Sequence, residues 1–464
     1  MSSSFLQVAD FMKDQGWDPE EISRFKELYQ GFLKGRKKKL NWNKISSPSP
    51  DQIIQYDDLA APTAPQATKL LDKLVVCKLN GGLGSSMGCT GPKSAIEVRD
   101  GLTFLDLIVE QTCSFNQKYG SHIPLVLMNS FNTDDDTQKI IKKYTGDLNI
   151  LTFLQNQMPR IRKASLLPLS KRKHPESAYY PPGHGDFYNS FMQSGLLEQL
   201  IEEGKEWAFI GNADNLGSSI DLKILNYMAS NKVPFIMEVT PKTRADIKGG
   251  TLVKTPEGPL NLLEIAQVPA NHKEDFKSVK KFQIFNTNNC WINLKVLKEK
   301  IDQGEIGLDV VINPKTVEGI PVLQLETALG GAINCFEGSK AISVPRRRFL
   351  PVKKTDDLLL VQSNLFDIEN GILVRNKDRG FNSLPLIRLG EKFAKYDDYL
   401  ERFESIPDIL DLDLLTVVGD VNFGKKITLK GNVILVSQQG SLHIPQGSII
   451  ENKVLTGSIE IGEL

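Results

Sequence analysis

Apolar positions in the first part of the chain return with the period of a helix: Phe5, Val8 and Met12, then, beyond Asp18-Pro19, Ile22, Phe25, Leu28, Tyr29 and Phe32. Residues three and four apart share a helix face, so this spacing predicts a helical stretch from residue 1 to about 60. The PTAPQAT stretch from Pro62 reads as a linker closing an N-terminal helical segment, 1–65.

From Leu74 the texture changes to short apolar runs alternating with amphipathic ones: LVVCKL then FLDLIVEQ, PLVLMN then TQKIIKKY, ILTFL, WAFIG then LKILNYM, and PFIMEV. Strand alternating with helix predicts a mostly parallel sheet. TLVKTPEGPLNLLEI, from Thr251, reads instead as a hairpin turning at Pro256-Glu257-Gly258, which makes the sheet mixed. The expected fold class is α/β, a Rossmann-like mixed sheet with helices on both faces.

Beyond about residue 405, LTVVGDVNFGKKITLKGNVILVSQQGSLHIPQGSIIENKVLTGSIEIGEL is a series of β-favouring runs cut by glycines. Stacked turns of a small β-helix fit this spacing, whereas an antiparallel sandwich would need longer strands. The divisions are thus 1–65, an α/β domain 66–350, and a C-terminal domain 351–464 ending in the β-helix.

A chain of 464 residues, 40% apolar and 24% charged, with 36 glycines and 24 prolines, can bury a large core and is not disordered as a whole. Lys+Arg and Asp+Glu are both 56. No net field steers such a chain to nucleic acid or acidic lipid, so any anion must meet a local site. The basic run Lys34–Lys39 lacks interleaved aromatics and reads as a solvated helix end.

The five cysteines are scattered and never form CxxC, which argues against a disulfide framework or structural zinc and fits a reducing compartment. The N-terminus carries acids where an export signal needs a basic start, and runs such as LLLV at Leu358–Val361 fall far short of the roughly 20 residues that cross a bilayer. A soluble cytoplasmic protein is expected.

The sharpest local signal is KLNGGLGSSMGCTGPKS, from Lys78, directly after strand LVVC. Glycines let a phosphate approach the backbone, and successive amides form a positively polarised concavity. It is not a Walker A loop, because Pro92 separates Gly91 from Lys93. Nor is it the dinucleotide fingerprint, because Met87 stands where the third glycine belongs.

An LxGGxG loop followed by a Pro-Lys pair resembles the nucleotidyltransferases that make nucleoside diphosphate sugars. Their loop carries Arg where Ser86 stands here, so another cation must substitute. VLMNSFNT, YPPGHGD, NADNLG, VTPKTRADIKGGTL, IAQVP, FNTNNCWI, QLETA, RRRFLPVKKTDDLLL and RFESIPDILDLDLLTV narrow the resemblance to the eukaryotic-type UTP–glucose-1-phosphate uridylyltransferase family. The match covers nearly all of the chain beyond about residue 70. Residues 66–350 are then its catalytic domain.

The resemblance implies a reversible, magnesium-dependent, in-line attack of glucose 1-phosphate on the α-phosphorus of UTP, giving UDP-glucose and pyrophosphate. Three anionic groups must be aligned and their charge neutralised, a task for lysines and Mg2+ rather than for covalent help from protein. Neither nucleic acid nor membrane is an expected partner. By resemblance, Lys93 and Lys353 act catalytically at the phosphates, and Leu79, Asn80, Gly81 and Gly82 bind the nucleotide. Lys354 is the rival of Lys353, and the plain alternative is that RRR and KK form a solvated basic surface.

GNADN follows strand WAFI, and open α/β folds place ligands at the carboxyl edge of the sheet. Asp214 is therefore the metal-ligand candidate, with an Asx turn before DLKILNYM as the alternative. The resemblance matches Asp214 to the family's magnesium aspartate and sets Asn212 near sugar and ribose. YPPGHGD, from Tyr180, reads as opening a helix to about Glu203. The resemblance puts Gly183 and His184 at the uracil and phosphate and gives the uracil edge to the Gln155 amide; otherwise His184 is a structural or capping residue.

Hexose hydroxyls need neutral donors and acceptors, which KGGTL, Glu264 and Asn286-Thr-Asn-Asn289 supply. In a regular strand Asn286 and Asn288 share a face. The resemblance assigns Gly250, Glu264, Asn286 and Asn288 to the glucose, against a turn-forming role for the asparagines.

Three other readings stay open: a metal-dependent glycosyltransferase, which would lack the Gly-Pro-Lys loop; an enzyme using an N-acetylhexosamine 1-phosphate; and a sugar-nucleotide sensor without turnover. Edge turns of the C-terminal segment leave homo-oligomerisation open as well.

Overall fold

The computed structural model describes residues 3–37, 41–84, 87–243, 246, 249–254, 258–380 and 383–457. They fall into two compact units. The first gathers the segments Met1–Gly81, Asn116–Asn212 and Ile220–Arg346, and the second Gly82–Phe115, Ala213–Ser219 and Arg347–Leu464. Divisions at 65/66 and 350/351 run along the chain, whereas these units are discontinuous. The chain leaves the first unit within the glycine loop, after Gly81, and again within GNADN, after Asn212.

The first unit is built on an eight-stranded sheet of β1 (Ile53–Gln55), β2 (Leu74–Leu79), β3 (Leu125–Asn129), β4 (Ile150–Leu154), β5 (Trp207–Asn212), β6 (Phe235–Pro241), β7 (Ile284–Asn293) and β8 (Lys340–Ser343). Their order is β1-β8-β6-β7-β5-β2-β3-β4. All pairings are parallel except those of β7, which runs antiparallel between β6 and β5. The sheet is mixed, as expected, but for a different reason: the hairpin Thr251–Lys254/Leu260–Leu263 forms a separate two-stranded sheet. Pro256 and Glu257 of its expected turn lie outside the described residues.

Both faces of the sheet are covered. Val75, Cys77, Ala208 and Ile210 pack with Phe187, Phe191, Leu200 and Leu297, while the alternate residues Leu74, Val76, Phe209 and Trp291 are buried too. A strand buried on both faces reads as an unbroken apolar run, which is why LVVC and WAFI are visible in the sequence.

Helices Ser3–Asp14 and Pro19–Lys37 form as expected, and Phe5, Met12, Phe25 and Phe32 share a core with Tyr180 and Leu325. Lys38 and Lys39 of the basic run lie outside the described residues. The helical expectation fails after that: a short turn at Trp42–Lys44 leads towards β1, which pairs with β8 at the sheet edge. The linker expectation fails as well, because Ala64–Asp72 is a helix. Its start is set by Thr63, whose N–H donates to Gln66 Oε1 at 3.0 Å, and by Pro65 in the first turn.

The second unit has its own core, in which Met87, Ile96, Phe104 and Leu107 meet Leu358, Leu359, Tyr399, Leu412 and Val433. Its C-terminal part is a parallel sheet of β9 (Leu386–Arg388), β10 (Leu412–Phe423), β11 (Thr428–Ile444) and β12 (Ile449–Gly457). Register partners such as Leu415↔Val433 and Val421↔Leu442 lie 18 to 21 positions apart. Residues 424–427 and 445–448 join successive strands. Parallel strands of an open sheet need crossovers of a dozen residues or more, so these short joints stack coils, as the glycine spacing suggests. The strands outrun the expected short pieces because register shifts near Gly419 and Gly431, with φ of +83° and +61°, bend them without ending them.

Candidate active site

Strand β2 delivers the chain to Asn80, whose N–H donates to Met128 O at 2.8 Å and whose Nδ2 donates to Asn129 Oδ1 at 2.8 Å and Thr137 Oγ1 at 3.0 Å. The buried Asn80 side chain thus anchors the loop to β3. Gly81 follows, with Ser130 Oγ donating to its carbonyl at 2.8 Å. A Cβ here would stand 2.0 Å from Gln155 Nε2, so glycine is what allows the Gln155 amide to lie against the loop. Gln155 itself is buried at the end of β4, its N–H donating to Asn129 O at 2.9 Å.

The segment carrying Gly183 and His184 is laced to the QLETA stretch. Thr327 N–H donates to Pro182 O and Gly185 N–H to Thr327 O, both at 2.9 Å. Gly183 has φ +85°, and a Cβ on it would come within 2.7 Å of Thr327 O. His184 Nδ1 accepts the N–H of Leu329 at 2.9 Å, which leaves the proton of a neutral ring on Nε2. The expected continuous helix is broken: Phe187–Gln193 and Leu196–Glu202 are separate, divided by Gly195 at φ +77°.

Asp186, which the sequence did not single out, joins this segment to Gln155. It accepts the Asn156 N–H at 2.7 Å and Asn156 Nδ2 at 3.0 Å. Burial pushes its carboxyl up to about 6, against the opposing pull of the Asn156 bonds.

The sugar candidates also meet within the first unit. A Cβ on Gly250 would lie 2.5 Å from Glu264 Oε1, and Gly250 O accepts the Asn286 N–H at 2.9 Å. Asn288 does not share a regular strand face with Asn286. The register of β7 shifts here against β6, and Asn288 takes φ +59°, its N–H donating to Asn286 Oδ1 at 2.9 Å. The kink turns Asn288 Nδ2 onto Asn212 Oδ1 at 2.8 Å and leaves Asn288 Oδ1 buried with no hydrogen-bond partner. Asparagine tolerates this left-handed conformation better than most residues.

In the second unit the remainder of the glycine loop folds on itself. Leu83 bridges Pro92, and Lys93 N–H donates to Gly82 O at 3.2 Å. Met87 and Cys89 N–H both donate to Gly84 O, at 2.8 and 3.1 Å. These three amides are engaged inside the loop. Ser85 and Ser86, the latter standing where the family has arginine, lie outside the described residues.

Lys93 Nζ lies 2.8 Å from Asp214 Oδ2, with both side chains largely buried. Asp214 Oδ1 is buried and accepts no hydrogen bond. The main chain around it is clipped to the FLPVKK segment: Val352 N–H donates to Asp214 O at 3.0 Å, and Leu350 N–H to Asn215 Oδ1 at 2.8 Å. The next residue is Lys353.

Lys353 and Lys354 N–H groups both donate to Asp357 Oδ2, at 2.8 and 3.0 Å. Burial raises the Asp357 carboxyl, while these bonds and the Lys93 and Lys353 charges draw it back down. Burial likewise raises the neighbouring Asp356 carboxyl, which the Lys354 charge draws back down. Lys353 and Lys354 are both exposed. Asp357 was legible only as an acid in a helix's first turn.

Of the triple arginine only Arg347 is exposed, so the run is not a solvated surface throughout. Arg346 pairs with Asp246 through two bonds of 2.6 and 2.8 Å, and Arg348 is buried, donating to Ser219 O at 2.9 Å.

A glycine loop at the carboxyl end of a parallel strand, followed by a lysine–carboxylate pair, stands where α/β proteins bind their ligands. The family model described as UTP–glucose-1-phosphate uridylyltransferase matches residues 22–430. The chain belongs to this family of nucleotidyltransferases.

It is 52% identical over 449 residues to UTP–glucose-1-phosphate uridylyltransferase 2 of Dictyostelium discoideum, covering 96% of this chain and 89% of that one. To the Solanum tuberosum enzyme it is 51% identical over 447 residues, covering 95% and 94%. Among solved structures, a mutant UDP-glucose pyrophosphorylase of Leishmania major in complex with UDP-glucose is similar at TM-score 0.87 and 32% identity, over 98% of this chain and all of that one. Among the described residues no helix is long and apolar enough to cross a membrane.

Proposed function

We propose that this chain carries out the family's reaction with the residues described above. The chain converts UTP and glucose 1-phosphate to UDP-glucose and pyrophosphate. A phosphate oxygen of glucose 1-phosphate forms a bond to the α-phosphorus of UTP as the bond from that phosphorus to the departing pyrophosphate oxygen breaks. The nucleophile is already ionised near neutral pH, so no general base is required.

Lys93 and Lys353 neutralise charge on the phosphate oxygens, which is most of what an in-line phosphoryl displacement asks of protein. The Gln155 amide reads the uracil edge, with Leu79, Asn80, Gly81 and Gly82 carrying the chain past the nucleotide and Gly183 beside the base. His184 contributes a neutral N–H rather than a charge, since its other nitrogen accepts from Leu329. Asn212 lies near sugar and ribose, and Gly250, Glu264, Asn286 and Asn288 serve the glucose hydroxyls.

The residues fit a magnesium ion. Asp214 Oδ1 is a buried acceptor without a hydrogen bond, and among the described residues no cluster of three or more ligating side chains exists. Magnesium suits such a site because it retains waters and binds phosphate oxygens beside one or two carboxylates. Held by Asp214, it would neutralise phosphate charge without proton transfer.

The observation that carries this reading is the Lys93–Asp214 pair with its one unsatisfied carboxylate oxygen. Pyrophosphate release from UTP across a panel of sugar 1-phosphates, with and without magnesium, tests it. Release with glucose 1-phosphate only when magnesium is present supports the reading; release with an N-acetylhexosamine phosphate instead, or none at all, refutes it. We also propose a cytoplasmic location, supported by five free cysteines, and self-association through β12, where Ile449 and Val454 are 68% and 64% exposed on an edge strand.

A further inference from the structure

Arg99 has none of the roles above. It ends a short strand, Glu97–Arg99, six residues after Lys93, and its guanidinium donates to four main-chain carbonyls. Nε reaches Gln362 at 3.2 Å, Nη1 reaches Phe366 at 2.7 Å, and Nη2 reaches Val361 at 3.4 Å and also Ser363. Val361, Gln362 and Ser363 end the helix Thr355–Gln362, whose last carbonyls have no partner within the helix. Gln362 Nε2 adds a bond back to Glu97 O at 3.1 Å.

The opposite end of the same helix carries Asp357, which receives the Lys353 and Lys354 amides. Eight helical residues make a rigid rod about 12 Å long, with Arg99 gripping one end and Lys353 leaving the other. A second connection runs through the Lys93–Asp214 ion pair and the bond from Val352 N–H to Asp214 O. These contacts close a ring inside the second unit: Lys93, Asp214, Val352–Lys353, Asp357, the helix, Arg99, and back along the chain to Lys93.

We propose that Arg99 is a positioning residue, which fixes the placement of Lys353 relative to Lys93 and so the spacing of the two charges offered to the substrate phosphates. The proposal rests on the phosphate role given to those lysines. Arginine is suited to this because its planar fork of five donors serves several carbonyls at once, whereas a lysine's three rotatable donors do not match them.

The test uses the full chain with Arg99→Met and Arg99→Lys, each alone and combined with Lys353→Ala. It measures kcat for pyrophosphate release, KM for glucose 1-phosphate and the thermal midpoint. Arg99→Met is expected to lower kcat about tenfold or more, since a shift of about 1 Å in a positioning contact costs up to 10²-fold. KM for glucose 1-phosphate stays unchanged, Arg99→Lys recovers part of the loss, and in the Lys353→Ala background the Arg99 substitutions cost little more.

A merely structural arginine would lower the midpoint and cost the same factor in both backgrounds, which overturns the proposal alone. Wild-type turnover in Lys353→Ala overturns the phosphate role and the proposal together. If Arg99→Met does not fold, the same comparison is read from Arg99→Lys.

Discussion

Lys93 Nζ sits 2.8 Å from one oxygen of Asp214 while the other oxygen of that carboxylate is buried without a hydrogen bond. A half-satisfied buried carboxylate is costly to maintain in a fold unless something charged joins it. Lys93→Ala removes one preorganised cation and is expected to lower kcat by about 10² to 10³, roughly 3 to 4 kcal/mol. Steady-state turnover with the far-UV spectrum as a folding control decides it. Unchanged kcat would remove Lys93 from the chemistry.

Asp214→Ala is expected to abolish the magnesium response while leaving the fold intact, because its main-chain bond to Val352 needs no side chain. Activity titrated against magnesium, together with direct calorimetric binding of Mn2+ in the presence of UTP, reads this out. Normal metal binding by the variant would place the ligand elsewhere.

Two glycine substitutions should separate function from stability. In Gly81→Ala the severe clash of the new Cβ is with the tip of the Gln155 side chain, at 2.0 Å, which swings away, while Ser130 Cβ at 3.3 Å needs a shift of only a few tenths of an ångström. KM for UTP is expected to rise with little change in unfolding midpoint. In Gly183→Ala the clash is with backbone, Thr327 O at 2.7 Å, at φ +85°, so a loss of about 1 to 3 kcal/mol in denaturant unfolding is expected.

Asp186 gives a pH signature. Its carboxyl is raised by burial to about 6 from an ordinary value of about 3.9. Between those two values the folded chain binds more protons than the unfolded one, so this group makes stability fall as pH rises through that window and level off above it. Asp186→Asn removes the titrating group. Unfolding free energy measured from pH 4 to 7 is expected to decline more steeply in wild type than in the variant, and parallel curves would contradict the assigned cause.

Much of the fold is legible because its strands are buried on both faces and so appear as bare apolar runs, and because the C-terminal glycines mark each bend of stacked coils. Ala64–Asp72 was hidden by composition: two prolines suggested a linker although Thr63 and Gln66 carry a helix-start signal. Strand β1 was missed because three residues at a sheet edge leave no periodicity to detect.

In the site, Lys93 and Asp214 stood out through the glycine loop, the sheet edge and the family resemblance, and the structure brings them together. Asp186, Thr327, Asp357 and Arg99 did not, because their work is to hold main chain in place, and a bond to a backbone amide or carbonyl leaves no motif. Asn288 was identified with the wrong geometry: the strand alternation assumed for it is broken by its left-handed backbone, which no local pattern reveals.

The most direct measurement is diffraction from crystals soaked with UTP and Mn2+, the metal located by its anomalous signal. The metal is expected about 2.1 Å from Asp214 Oδ1, near the distance hard divalent ions keep from oxygen, with phosphate oxygens in contact with Lys93 and Lys353. Nucleotide bound elsewhere, or a metal held without Asp214, would contradict the assignment of this cluster to the reaction.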